Sequence, residues 1–206
     1  MRRAYRFFVC LPLLLLAACT SEPSRPAAEK PKAPAQPPEP VSSQYACRQM
    51  YLAARNWSPD AEPLRLSNIA LPEFRSVKGK ADAWQATFVS ARTGRAKGFT
   101  YSVIEGPGNL HQGVFEGPEE SWSVQRGQPF SILAFKVDAT TALETALKRG
   151  ADYAQKHPAM PINFLLERIP RHPYPVWRVI WGQSVGTSGF SILIDATTGG
   201  YHQTLR

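Results

Sequence analysis

Two stretches of this chain alternate between apolar and polar side chains, each opening on a strand that carries a tryptophan, and this doubled pattern constrains the fold most. Around position 84 the sequence reads AWQATFVSARTGRAKGFTYSVIE, and around 177 it reads VWRVIWGQSVGTSGFSILID. Trp84, Ala86 and Phe88 answer Trp177, Val179 and Trp181; Phe99, Tyr101 and Val103 answer Phe190, Ile192 and Ile194. A period of two, broken by Gly and Ser/Thr, is the signature of half-buried strands joined as a hairpin. Two such hairpins need two apolar faces covered.

The covers are predicted helices, one ahead of each hairpin. Residues 43–56 place Cys47, Met50/Tyr51 and Ala54 on one stripe, and the run ends before Ser58-Pro59. Residues 141–156 open on Thr141 and Glu144, spaced as a capping box. They continue with Leu143, Leu147, Gly150 and Ala154 as a stripe and stop near His157-Pro158, since the residue before a proline is disfavoured in a helix. Further strands are predicted at 64–71 and 162–169, closing strands at 110–115 and 201–205, and connecting strands at 121–125 and 131–137. The fold class is α+β: two tandem helix-plus-antiparallel-sheet units, α-β-β-β-β repeated, at 45–138 and 139–206. Helix on sheet is a stable two-layer answer.

Ahead of these units the composition changes. Arg2, Arg3 and Arg6 precede an apolar run over 7–16 broken by Pro12, then Ala17, Ala18 and Cys19. This is signal-peptide anatomy over residues 1–18, and the run falls short of the roughly 20 residues that span a bilayer. Leu16-Ala17-Ala18-Cys19 resembles the lipobox of bacterial lipoproteins. That resemblance implies cleavage before Cys19 and its acylation, hence a membrane partner held through a lipid anchor. Thr20 stands where lipoproteins kept at the inner membrane commonly carry Asp, so the resemblance implies the periplasmic face of an outer membrane. Residues 19–44 hold seven prolines and read as a disordered, partly polyproline linker of about 3.1 Å per residue.

The chain carries 24 Lys+Arg against 16 Asp+Glu, and the part after residue 44 keeps 18 against 13. That modest excess lacks the dense basic face with interleaved aromatics that a nucleic-acid partner needs. Once signal peptide and lipid carrier are set aside, Cys47 is the remaining cysteine, either an apolar core thiol or an intermolecular partner. The four histidines are scattered and no Cys/His cluster has metal-ligand spacing. No cofactor and no metal are expected.

Gly182-Gln183-Ser184-Val185-Gly186 fits the G-x-S-x-G nucleophile elbow, with Asp195 and His202 following in order. An elbow needs a helix behind the serine, whereas the residues after Gly186 alternate like a strand. Ser184 is therefore expected in a turn, and the chain is not expected to be an enzyme. At the same hairpin, Trp177 followed by a Gly/Ser turn and by Asp195, Ala196, Thr198 and Gly199 resembles the end of a PepSY-type domain. The resemblance spans about 139–205 and implies a noncatalytic interaction domain, inhibitory or regulatory in action. The first unit departs from it, ending in VIEGPGN. Asp195 and Thr198 are expected as turn formers, with Gly199 at positive φ.

Binding candidates fall in three sets. Trp84, Trp177 and Trp181 are either core beneath the helices or an aromatic groove for peptide or glycan. The opposite sheet face carries Gln85, Thr87, Thr100, Ser102, Arg178 and Ser191 and is a plausible surface for protein docking. Arg92, Arg95 and Lys97 are read as loop cations, solvated or touching anionic lipid or cell-wall polymer. The leading function is a membrane-tethered, noncatalytic periplasmic binding module for a protein or peptide. The alternatives are a structural envelope lipoprotein contacting peptidoglycan or lipid, and a serine hydrolase using Ser184.

Overall fold

A computed structural model describes residues 38–108 and 110–206; the expected signal peptide, the lipobox-like stretch with Cys19 and most of the expected linker lie outside the described residues. The order is α1 (Ser43–Trp57), β1 (Glu62–Asn68), the short β2 (Ser76–Val77) and β3 (Lys80–Ala81), β4 (Ala83–Ser90), β5 (Arg95–Ser102) and β6 (Gly113–Ser121). Then come α2 (Ala139–Arg149), α3 (Ala151–Lys156), β7 (Ile162–Arg168), β8 (Pro175–Trp181), β9 (Phe190–Asp195) and β10 (Tyr201–Leu205). The protein is α+β, as its periodicity predicts.

Eight strands form one antiparallel sheet, ordered β10-β9-β8-β7-β1-β4-β5-β6. Each side of the β7–β1 junction therefore holds four strands, and a helix precedes each set in the chain. The junction is narrow: Arg65, Leu66 and Ser67 face Glu167, Leu166 and Leu165. Two asparagines prolong it. Asn68 Nδ2 donates to Asn163 Oδ1 at 2.8 Å, and Asn68 Oδ1 accepts from the Phe164 amide at 2.8 Å.

Both helices lie on one face. Ser43, Ala46, Cys47, Met50 and Ala54 are buried along α1, close to the predicted stripe. On α2 the buried residues are Ala139, Ala142, Leu143 and Ala146, while Leu147 is 39% exposed, so the predicted Leu147 stripe is corrected by about one position. The reason is spacing. A Cβ on Gly150 would stand 3.0 Å from Ile192 Cδ1 and 3.1 Å from Phe190 Cε1. Only small residues let α2 lie this close to bulky strand side chains. Gly150 also divides the predicted single helix into α2 and α3.

Other boundaries move for local reasons. The linker ends before 44: Val41 bridges Ala81 in both directions at 3.0 Å, Ser42 caps α1, and Ser43 is buried. Thr141 and Glu144 do not form the capping box; Asp138 is the N-cap, which starts α2 at Ala139. The connecting strands at 121–125 and 131–137 are instead the end of β6 and two 3-10 turns, Val124–Arg126 and Ile132–Ala134.

The helix starts are tied together. Asp138 Oδ1 accepts from the Thr140 amide at 3.2 Å and Oδ2 from the Gln44 amide of α1 at 2.9 Å. In return Ser43 Oγ accepts from the Ala139 amide at 3.0 Å. One carboxylate thus serves two helix N-termini, each the positive end of its dipole.

Asp138→Ala is expected to lower unfolding stability by about 2 kcal/mol, roughly one capping contribution for each helix, in urea denaturation; an unchanged midpoint contradicts the shared cap. Cys47 is 1% exposed, and burial pushes its thiol up to about 12, since desolvation disfavours the thiolate. Native protein at pH 8 should resist iodoacetamide at Cys47 and react once unfolded in urea; rapid native labelling contradicts a core thiol.

Candidate functional site

With the helices on one side, no helix among the described residues covers the centre of the other face of the sheet. Alternation decides what stands there. In β4, Trp84, Ala86 and Phe88 are buried towards the helices, so Gln85 and Thr87 project the other way. The register then places Gly98 beside Thr87, Thr100 beside Gln85, and Phe115 beside Thr100. Across the junction, Arg65 meets Glu167 at 3.4 Å. On β8, Arg178 Nε donates to Ser191 Oγ at 3.0 Å.

Two adjoining hollows mark this face, sharing Arg65, Ser67 and Gln85. One, of about 470 Å³, lies over Gly98 and Gly117 between Gln85 and Thr87 on one side and Phe115, Leu110 and Pro118 on the other. The second, about 300 Å³, is bounded by Asn163, Leu165, Ile180 and residues 183–185. The first exists because two neighbouring strands carry glycine at its floor.

The sequence-predicted residues divide sharply. Trp84, Trp177 and Trp181 are 0–1% exposed and belong to the core beneath the helices, so they form no surface groove. Arg95 and Lys97 are not loop residues. The turn occupies only 91–94, and both lie in β5, where Arg95 Nε meets Glu119 at 3.4 Å and Lys97 Nζ meets Glu116 at 2.7 Å. Arg92 stays in the turn, exposed, its amide donating to Asp60 Oδ2 at 2.9 Å. Gln85, Thr87, Thr100 and Arg178 do share this face, whereas Ser102 and Ser191 are buried, Ser102 Oγ donating to the Ile104 carbonyl and Ser191 Oγ accepting from Arg178.

Sequence reasoning missed Asp60. Its Oδ1 accepts from Ser58 Oγ and Ser90 Oγ, each at 2.7 Å, tying the end of α1 to the β4–β5 turn. The Arg92 amide and the two serine hydroxyls hold its carboxyl well below the usual range. Nor does the sequence alone show the partner of Glu119, which stands on β6. Its carboxylate takes the Trp57 indole N–H at 2.9 Å and is lowered by it. Neither could be found without knowing which strands adjoin.

Ser184 lies in a turn. Its Oγ bonds Thr187 Oγ1 at 2.9 Å, and strand β9 comes next, with no helix behind the serine. Asp195 ends that strand, about 16 Å beyond its first residue at 3.3 Å per step. It bonds His172 Nε2 at 3.0 Å, while the His202 ring packs on His172 at 4.6 Å. Of the two glycines in the G-x-S-x-G pattern, Gly182 turns at φ +138.

Asp195 closes the last turn as expected: Oδ1 accepts from the Thr197 and Thr198 amides at 2.8 Å each, and Gly199 has φ +77. Burial pushes the Asp195 carboxyl up, but the Thr198 and Thr197 amides and His172 together outweigh it and leave it lowered.

No family model matches the chain, and no curated protein matches it. A solved structure does: a protein of Clostridium difficile 630, provisionally designated a lipoprotein. It has a TM-score of 0.51 and 11% identity, over 77% of this chain and 91% of its own. At that identity the likeness concerns the fold. Among the described residues, no helix is long and apolar enough to cross a membrane.

A carboxyl lowered by folding contributes stability above its unfolded value, near pH 4, and that contribution is lost as pH falls through the folded value. Asp195→Asn retains the Oδ1 acceptor but no charge. Its unfolding midpoint should therefore fall less than that of the wild type between pH 5 and pH 3; parallel curves contradict the assignment.

Proposed function

We propose that this protein is a lipid-anchored, noncatalytic binding module of the bacterial envelope that engages a protein or peptide partner through the open face of its sheet. The carrying observation is the one-sided covering: both helices lie on one face, while the centre of the other presents paired polar groups and two hollows. An antiparallel sheet with one solvated face is a stable platform, and its strands fix the projecting side chains more firmly than loops do. The lipobox at Cys19 and the proline-rich stretch after it supply an anchor and a tether. The likeness in fold to a protein provisionally designated a lipoprotein is in keeping with that address.

The closing turn supports reading the C-terminal unit as PepSY-like, with Asp195, Thr198 and Gly199 in shaping roles and no chemistry to perform. Internal duplication is part of the same proposal. Its support is the matching order of one helix and four long strands on each side of the junction, together with equivalent tryptophan hydrogen bonds to Val41 and Val137. The envelope-contact alternative has less to draw on. Two of its three cations face glutamates, and a cation engaged in an ion pair offers less to an anionic polymer.

The test has two arms in cells. Cys19→Ser should move the chain from the membrane to the soluble periplasmic fraction; retention in the membrane contradicts the anchor. A photo-crosslinking residue at Thr87 or Leu165 should give a discrete adduct that is missing when the same residue replaces Leu52, exposed on α1. Adducts from Leu52 alone would move the docking surface to the helices.

A further inference from the structure

We propose that the hollow over Gly98 is a saccharide site: it takes one neutral sugar ring, edge-on to Gln85 and Thr87 and face-on to Phe115. This rests on the open face being the binding surface, and it names a ligand class for one part of it.

Gly98 lies within β5, between Lys97 and Phe99, where the β5–β6 register shifts in a bulge. A Cβ built on it would find no atom within 4 Å. Glycine in a strand interior commonly marks a bulge or a place where other atoms come close to the backbone, and the space above this one is open. Its neighbour differs. A Cβ on Gly117 would stand 3.2 Å from the Gly98 carbonyl oxygen, and the fold itself requires that glycine. Together they expose bare peptide backbone across two strands, a condition that suits close approach of a ligand.

The walls decide the ligand. On one side Gln85 and Thr87 offer an amide and a hydroxyl. Gln85 Nε2 is partly engaged by Ser67 Oγ at 3.1 Å, while the Thr100 hydroxyl beside them is buried. On the other side Phe115, Leu110 and Pro118 are apolar. The charge at the rim, Arg65, is matched by Glu167, so the hollow favours an uncharged ligand. Thr87 and Gly98 are register partners in the β4–β5 ladder, and an incoming peptide cannot add here as a further strand. A sugar ring matches both walls: its hydroxyl edge exchanges hydrogen bonds with the Gln85 amide and the Thr87 hydroxyl, and its C–H face packs on the aromatic ring.

The experiment is calorimetric titration of the full chain in detergent with triacetylchitotriose and with maltotriose, and trialanine as a peptide control. At least one saccharide should bind and trialanine should not. Gly98→Val, which fills the hollow with a side chain suited to a strand, should weaken binding by at least about tenfold with no fall in melting temperature. Phe115→Ala should weaken it by about tenfold and carries the test if the valine variant fails to fold. Absence of saccharide binding, binding of trialanine in place of the sugars, or full affinity in a folded Gly98→Val or Phe115→Ala variant would overturn the site. If photo-crosslinks from Thr87 persist while no saccharide binds, the sugar site falls and protein docking stands.

Discussion

At the centre of the molecule two tryptophans meet. Trp84 and Trp177 pack edge to face with ring centroids 6.5 Å apart. Each indole N–H leaves the apolar core for one backbone carbonyl, Val41 at 3.1 Å and Val137 at 2.7 Å. Each valine immediately precedes an N-cap, Ser42 for α1 and Asp138 for α2. A hydrogen-bond partner stabilises a buried indole N–H, and here each such bond ties a strand to the start of a helix. The strands and helices are thereby coupled at two equivalent points. Replacing either ring with a small side chain would open a cavity and cut this tie, and large-to-small core changes of this kind cost about 3–5 kcal/mol.

This coupling produces a fold with two unequal faces. The helix side is closed by small residues against large ones, Ala142, Ala146 and Gly150 over Phe190 and Ile192. The aromatic cluster continues through Phe164, which packs on both tryptophans. Among the described residues, the reverse side has no such cover at its centre. There, cross-strand partners satisfy one another, Arg65 with Glu167 and Arg178 with Ser191, so the face is stable in water and still chemically varied. A surface of this kind holds positions rigidly. Ser184 in the turn before β9 and Asp195 at its far end perform separate structural tasks.

Much of this was legible in the residues. The α+β class, both hairpins, the α1 stripe and the turn at Ser184 follow from periodicity and glycine placement, because those signals are local. The polar open face was legible too, as the complement of each apolar stripe. The helix cap at Asp138 was hidden because Thr141 and Glu144 satisfy the same pattern three residues later. The tertiary bonds exchanged with Gln44 and Ser43 favour the earlier start. Leu147 misled because size outranks hydrophobicity at a close helix–sheet approach. Arg95 and Lys97 read as loop cations because their partners, Glu119 and Glu116, lie on a strand some twenty residues away. The hollow over Gly98 needed the β5–β6 register, which no single segment contains.

If the open face of the sheet is the working surface, a partner must shield it in the cell. Hydroxyl-radical footprinting of the protein in intact cells, compared with the purified chain, tests this most directly. Phe115 and Leu165 are predicted to be protected in cells, while Tyr45, Leu52 and the 80% exposed Leu133 on the helix side stay equally reactive in both. Protection confined to Tyr45, Leu52 and Leu133, with Phe115 and Leu165 unchanged, would contradict it.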